Sequence, residues 1–216
     1  MKKVFLTLVT LLAIQITSAQ NEQTSNTTSR NPEIGIKGGL NITNLYTEEV
    51  DDNNLLTSFN AGLYTNIPIS NSLSVQPEFL FYRKGAELVY DNAFVSGTAR
   101  FKLNYLEIPV LLKANISKNF NIHFGPYFSY LIDGKVTNES SSSSFDFEND
   151  LSNDDFNKFD YGLAAGIGLD FSSTSIGLRY DYGLSTVGKE RNFAGTTYTF
   201  PDGKNSALSL YISFKL

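Results

Sequence analysis

From Phe159 to Phe171, "FDYGLAAGIGLDF", two kinds of residue alternate almost without a break. Phe159, Tyr161, Leu163, Ala165, Ile167, Leu169 and Phe171 share one parity; Asp160, Gly162, Ala164, Gly166, Gly168 and Asp170 share the other. Period-two alternation sends successive side chains to opposite faces of a strand. One face is therefore aromatic and aliphatic, the other glycine-rich and acidic. The pattern recurs in "EIGIKGGLNIT", "SFNAGLYTNI", "LSVQPEFLFYR", "YLEIPVLLKA", "FNIHFGPYFSY", "SIGLRYDYGL" and "ALSLYISFKL". Eight strands are predicted, and helical periodicity replaces the alternation in none of them.

The connections predicted between these strands alternate in length. Residues 68–71, 115–119 and 172–174 form tight turns, whereas 43–57, 84–101, 133–157 and 185–204 form long loops. All tight turns then fall at one end of the sheet and all long loops at the other, the arrangement of an outer-membrane barrel with short periplasmic turns. Two local features are less regular. Phe101 and Leu103 carry the parity of Tyr105 rather than Leu106, which predicts either a bulge near Asn104 or a placement of both residues above the membrane. A simple register across the "SST" turn sets Gly168 opposite Arg179 and Gly166 opposite Asp181, with slippage by two residues as the alternative.

Face chemistry decides which side is inside. An eight-stranded barrel is too narrow to enclose every Phe, Tyr and Leu of the apolar face. A water-exposed outer wall built of glycines with one or two charges per strand would also be a poor one. Turned outward, the apolar face meets lipid, and aromatics near strand ends form interfacial girdles. The fold class predicted is thus all-β, an eight-stranded antiparallel up-and-down transmembrane β-barrel. Its lumen receives a charge network of Lys37, Glu78, Glu107, Lys113, Asp160, Asp170, Arg179 and Asp181, with Lys215 on the same face.

Residues 1–19 read as a signal peptide: a basic start, the apolar run "VFLTLVTLLAI", and small residues Thr17 and Ala19 before the expected cut. Residues 20–32 read as a flexible polar lead-in and 33–216 as the barrel. There is no cysteine, so disulfides and thiolate metal ligation are excluded. Of 17 Lys and Arg, Lys2 and Lys3 fall in the leader; the remaining 15 face 22 acids, a net of −7. With no basic cluster, nucleic acid is not an expected partner.

"GIKGGLNIT" after "SAQ", "LSVQPEFLFYRKGAEL", "LNYLEIPVLLK", "FGPYFSYLI", "YGLAAGIGLDF" and the final "LYISFKL" resemble the PorT-like, porin-family outer-membrane barrels of the Bacteroidota. The resemblance covers roughly residues 33–216, and "YLEIPVLLK" and "QPEFLFYRKGA" carry most of it. It implies an eight-stranded barrel in the cell outer membrane. It implies no shared activity and carries over no catalytic residues, although one namesake takes part in protein secretion.

Candidate chemistry adds little to this. His123 is the only histidine and falls on luminal parity, where a hydrogen-bonded structural role is expected rather than a metal site or a triad. Gly162 and Gly166 stand at GxxxG spacing, which matters for packed helices and not for a strand. The acidic stretches "TEEVDDNN", with Glu48, Glu49, Asp51 and Asp52, and "DFENDLSNDD" lack the EF-hand pattern, and solvated loops are expected rather than calcium sites. Loop 133–157, with serines at 140–144, is expected to be the least ordered external segment. Glu78 and Glu107 are expected to pair with cations rather than to act as a glycosidase couple. The expectation is a monomeric, non-enzymatic barrel without cofactor or metal, in contact with outer-membrane lipid. Its role is expected to be structural, or to be carried by external loops that meet envelope or secretion proteins. The alternatives are a narrow channel for small solutes or hydrophobic ligands, and an accessory role in protein secretion.

Overall fold

The computed structural model describes residues 31–46, 55–91, 96–140, 147–150, 156–193, 196–199 and 203–216. The expected signal peptide and most of the expected lead-in lie outside the described residues. The strands are β1 (Glu33–Tyr46), β2 (Leu56–Pro68), β3 (Leu73–Asp91), β4 (Ser96–Asn115), β5 (Phe120–Ser140), β6 (Phe147–Asp150), β7 (Phe159–Asp170), β8 (Thr174–Thr186), β9 (Glu190–Phe193), β10 (Thr196–Thr199) and β11 (Lys204–Lys215). Eight of them, β1–β5, β7, β8 and β11, pair antiparallel with their sequence neighbours. The ring closes where β1 meets β11, from Gly35↔Lys215 to Tyr46↔Lys204.

The predicted alternation appears as burial. Along β7, Phe159, Tyr161, Leu163, Ala165, Ile167 and Leu169 face outward, while Asp160, Gly162, Ala164 and Gly168 are buried. Outward rings are largely bare, Phe128 at 63% and Phe159 at 71% exposure. The buried side of the sheet is the lumen, so this protein's core is the inside of a cylinder and its apolar coat faces lipid.

Tight turns occur where they are expected. Ile69 N–H donates to Leu73 O (2.8 Å), Ile116 N–H to Phe120 O (2.9 Å) and Phe171 N–H to Thr174 O (2.8 Å). The long connections are different. Much of 84–101 is strand, because β3 and β4 continue as one ladder from Tyr82↔Tyr105 to Asp91↔Ser96. Residues 133–140 belong to β5, and β6 lies against them from Lys135↔Asp150 to Asn138↔Phe147. Inside 185–204, β9 and β10 form a separate hairpin. Loss of the alternation at these places does not mark the end of the strand, which continues in the ladder.

The irregularity at the start of β4 also has a definite origin. Leu103, Tyr105 and Glu107 all point inward in one unbroken β3–β4 register. The bulge sits across the ladder in β5, where Asn104↔Asp133 is followed by Tyr105↔Leu131 and Ile132 is the extra residue. Leu103 therefore lies above the charged zone inside the barrel. The β7–β8 register is shifted by two residues from the simple expectation: Gly166 faces Arg179, Gly168 faces Gly177, and Ala164 faces Asp181.

Two of the luminal glycines are required by one ring. A Cβ on Gly177 would come within 2.5 Å of the Tyr211 hydroxyl, and one on Gly168 within 2.8 Å of it. Replacing Gly177 by Val overpacks the lumen beneath Tyr211, and a loss of about 1–3 kcal/mol of folding free energy is expected in a urea titration of the barrel in vesicles. On the opposite face, Ile167→Arg puts a charge among hydrocarbon and is expected to cost about 2–4 kcal/mol in the same assay, whereas Ile167→Leu leaves the midpoint in place.

Candidate functional site

The lumen is filled in three storeys. At the end where the long connections emerge, Leu45, Leu103, Tyr105, Leu131, Phe156 and Val187 form one buried apolar cluster. They come from β1, β4, β5 and the segments flanking β7 and β8, so the cluster spans the bore from opposite walls. Below it lies a zone of buried charges. At the tight-turn end a polar vestibule of about 240 Å³ remains, lined among others by Tyr64, Lys113, Asn121, His123, Asp170 and Tyr211.

Arg179 on β8 is the hub of the charged zone and is 1% exposed. Its Nη1 donates to Glu78 Oε2 across the bore (2.7 Å). Its Nε stands 3.1 Å from Asp181 Oδ1, and its Nη2 stands 3.8 Å from Glu107 Oε1. These last two are charge contacts without hydrogen-bond alignment. Lys37 donates to the other oxygen of Glu78 (2.7 Å). A second cation, Lys84, lies 2.7 Å from Glu107 Oε2 and 3.2 Å from Asp160 Oδ2. Its ammonium also stands 4.1 Å from the centre of the Tyr127 ring, and that of Lys37 3.9 Å from the centre of Tyr211.

Hydroxyl and amide donors complete the carboxylates. Tyr82 Oη donates to Asp181 Oδ2 (2.9 Å), Ser129 Oγ to Glu107 Oε2 (2.8 Å) and Gln76 Nε2 to Glu78 Oε1 (2.8 Å). Asp160 accepts from Ser185 Oγ (2.8 Å) and Asn205 Nδ2 (3.0 Å). A charge taken out of water costs several kcal/mol unless it is paired and hydrogen-bonded. Here the acids come from β3, β4, β7 and β8 and the cations from β1, β3 and β8, so every pair except Arg179–Asp181, which lies within β8, ties separate strands together.

The eight residues expected in the lumen all face it, but they form two groups. Lys37, Glu78, Glu107, Asp160, Arg179 and Asp181 share the central network. Lys113 and Asp170 pair with each other (3.0 Å) in the vestibule. Lys215 is further out and pairs with Glu33 at the rim. Lys84 was missed, because the alternation counted as strand ended at Arg83. Its inward parity with Tyr82 was the available signal. Four luminal tyrosines stand outside the expected network: Tyr82 and Tyr127 donate to Asp181 and Asp160, Tyr105 accepts from Asn205, and Tyr211 sets its ring against the Lys37 ammonium.

His123 lies in the lumen as expected, but only one of its nitrogens is engaged. Nδ1 faces Asn121 Oδ1 at 3.1 Å, and Nε2, pressed against Gly166, has no protein partner among the described residues. Glu78 and Glu107 are both buried against cations, so neither carboxylate is open to a substrate. The acids Glu48, Glu49, Asp51 and Asp52, and the serines at 141–144, lie outside the described residues.

Several solved structures are similar to this chain at low identity. They include the attachment invasion locus protein Ail of Yersinia pestis (13% identity, 87% of this chain and 100% of that chain covered, TM-score 0.46). Neisserial surface protein A is another (12% identity, 87% and 100% covered, TM-score 0.47). A third is the outer membrane enzyme PagL (9% identity, 84% and 99% covered, TM-score 0.33). Likeness at this level concerns the fold alone. No curated protein matches the chain. Residues 18–188 match the family described as outer membrane protein beta-barrel domain. With the closed ring and the lipid-facing coat already described, the chain belongs to the outer membrane protein beta-barrel domain family.

Proposed function

We propose that this chain is a non-enzymatic, PorT-like outer-membrane barrel that conducts no solute and acts through the part of its wall standing outside the membrane. The observation that carries the reading is Arg179, buried in mid-lumen and held by Glu78 from across the bore and by Asp181 beside it. An eight-stranded interior is just wide enough for side chains to fill, and here charge pairs and an apolar cluster occupy it in succession. The β3–β4 ladder continues for roughly 30 Å past Tyr82↔Tyr105, at about 3.3 Å per residue. That projection offers envelope or secretion proteins a rigid surface, which a barrel with plain loops lacks.

Purified barrel in planar bilayers is expected to pass no steady current. A stable ohmic conductance would replace this reading with the channel one. A photo-crosslinking side chain at Thr98, on the projection, is expected to capture envelope protein in intact cells, while one at Lys118, in a tight turn, is not. Equal yields from the two positions would remove the projection's role.

The network itself has a sharper test. Among the described residues Asp181 has no cation but Arg179 within ion-pair distance, while Glu78 keeps Lys37 when Arg179 is lost. Arg179→Ala is expected to cost about 3–5 kcal/mol of folding free energy by stranding a buried charge. Adding Asp181→Asn is expected to recover part of that loss, and Glu78→Gln less of it. The urea midpoints of the four proteins in one lipid settle the order.

A further inference from the structure

The wall carries a groove between β7 and β8. The β7–β8 ladder stops at Gly162↔Gly183, although both strands run on toward the extracellular end. Above that level side chains replace the ladder. Tyr161 N–H donates to Ser185 Oγ (3.2 Å), and Asn157 Nδ2 donates to Thr186 O (2.9 Å) and Gly188 O (3.0 Å). Asn157 N–H closes the top of the seam on Val187 O (2.9 Å). Between these bonds lies a groove of about 710 Å³ on the outer wall, lined by Asn157, Lys158, Phe159, Tyr161 and Leu184 through Thr186 with Lys189. Phe159, Tyr161 and Leu184 are its apolar part and face outward. Tyr130 extends the aromatic surface, its ring 5.4 Å from Phe159 and edge-on to it.

Among the described residues the charges lining this groove have one sign. Lys158 and Lys189 line it, no acid does among the described residues, and neither ammonium has an ion-pair or hydrogen-bond partner there. Four other lysines of this chain each meet an acid, as Lys37–Glu78, Lys84–Glu107, Lys113–Asp170 and Lys215–Glu33. Two unpaired cations above an apolar groove, at the level where an aromatic belt meets headgroups, match an amphiphile with an anionic head. A soluble anion would gain nothing from Phe159 and Leu184, and an uncharged lipid nothing from the lysines.

We propose that the β7–β8 seam is a binding site for a phosphorylated outer-leaflet lipid. Its phosphate lies between Lys158 and Lys189, and the root of an acyl chain lies along Phe159, Tyr161 and Leu184. The site uses the outer-membrane setting of the barrel and is independent of whether the lumen conducts or the projection binds protein.

The probe is monophosphoryl lipid A, titrated into the full barrel in micelles of an uncharged detergent. Lipid retained on the folded protein is read by native mass spectrometry. Wild type is expected to retain it, and Lys158→Gln with Lys189→Gln to weaken retention by about tenfold or more, since each near-surface lysine contributes on the order of fivefold. The same lipid without its phosphate is expected to bind wild type as weakly as the double variant binds the phosphorylated one. Lys118→Gln, at the opposite rim, is expected to change nothing, and inorganic phosphate is expected not to displace the lipid. Heat-modifiable gel mobility checks that each variant is folded. Unchanged retention in the double variant, or equal retention of the lipid with and without phosphate, would overturn the site. Displacement by inorganic phosphate at the lipid's own concentration would overturn the lipid assignment in favour of a simple anion.

Discussion

In hydrocarbon an unpaired peptide N–H or C=O costs several kcal/mol, and no water is present to satisfy it. Closing β1 on β11 removes the two edges where such groups would otherwise stand. Most of the remaining structure follows from that closure. A closed antiparallel sheet of eight strands has one outside and one inside, and alternation along each strand distributes side chains between them. The outside requires only apolarity, so Leu, Ile and Phe interchange there with little consequence. The inside is narrow, and each position is set by what stands across the bore.

That narrowness explains why glycines and charges occur on the same parity. Arg179, Tyr127 and Tyr211 reach well into the lumen, and the wall beside such side chains must be bare of Cβ atoms, as at Gly162, Gly168 and Gly177. The charged groups then hold strands together that are far apart in sequence, as Arg179 does with Glu78. Their pairing is not in itself evidence of high stability, because desolvation offsets much of the attraction. What it provides is specificity. A one-residue slip of β3 against its neighbours would turn Glu78 into lipid, strand Lys37 and take from Arg179 its partner across the bore.

The cylinder was legible in the sequence because lipid imposes a strict period of two wherever it touches the chain. Parity alone placed Lys37, Glu78, Glu107, Asp160, Arg179 and Asp181 on one surface. It could not say which of them meet, since pairing depends on register, and the β7–β8 register turned out two residues from the simplest one. The legible part ended where lipid ends. Beyond Arg83 and Leu131 both faces of a strand are wetted or packed on other protein, alternation lapses, and the β3–β4 projection and the Ile132 bulge left no periodic trace. Lys84 fell at that boundary, and a central member of the network went unread.

The wall is uneven around its circumference, and the unevenness has a physical cause. On one side β3, β4 and β5 stay hydrogen-bonded far past the membrane, so the ladder itself stiffens the projection. On the other side, the continuous β7–β8 ladder stops at Gly162↔Gly183, the side chains of Ser185 and Asn157 bridge the gap, and peptide pairing returns only at Phe156↔Gly188. Side-chain bonds space two strands more widely than a ladder does, which opens the wall to the bilayer at the level of the headgroups. Backbone groups there need not pair with each other, because headgroups and water can serve them in a way that hydrocarbon cannot. The ladder can therefore end at the headgroup level, and a lipid-facing groove can form there, without exposing unpaired peptide groups to the bilayer core.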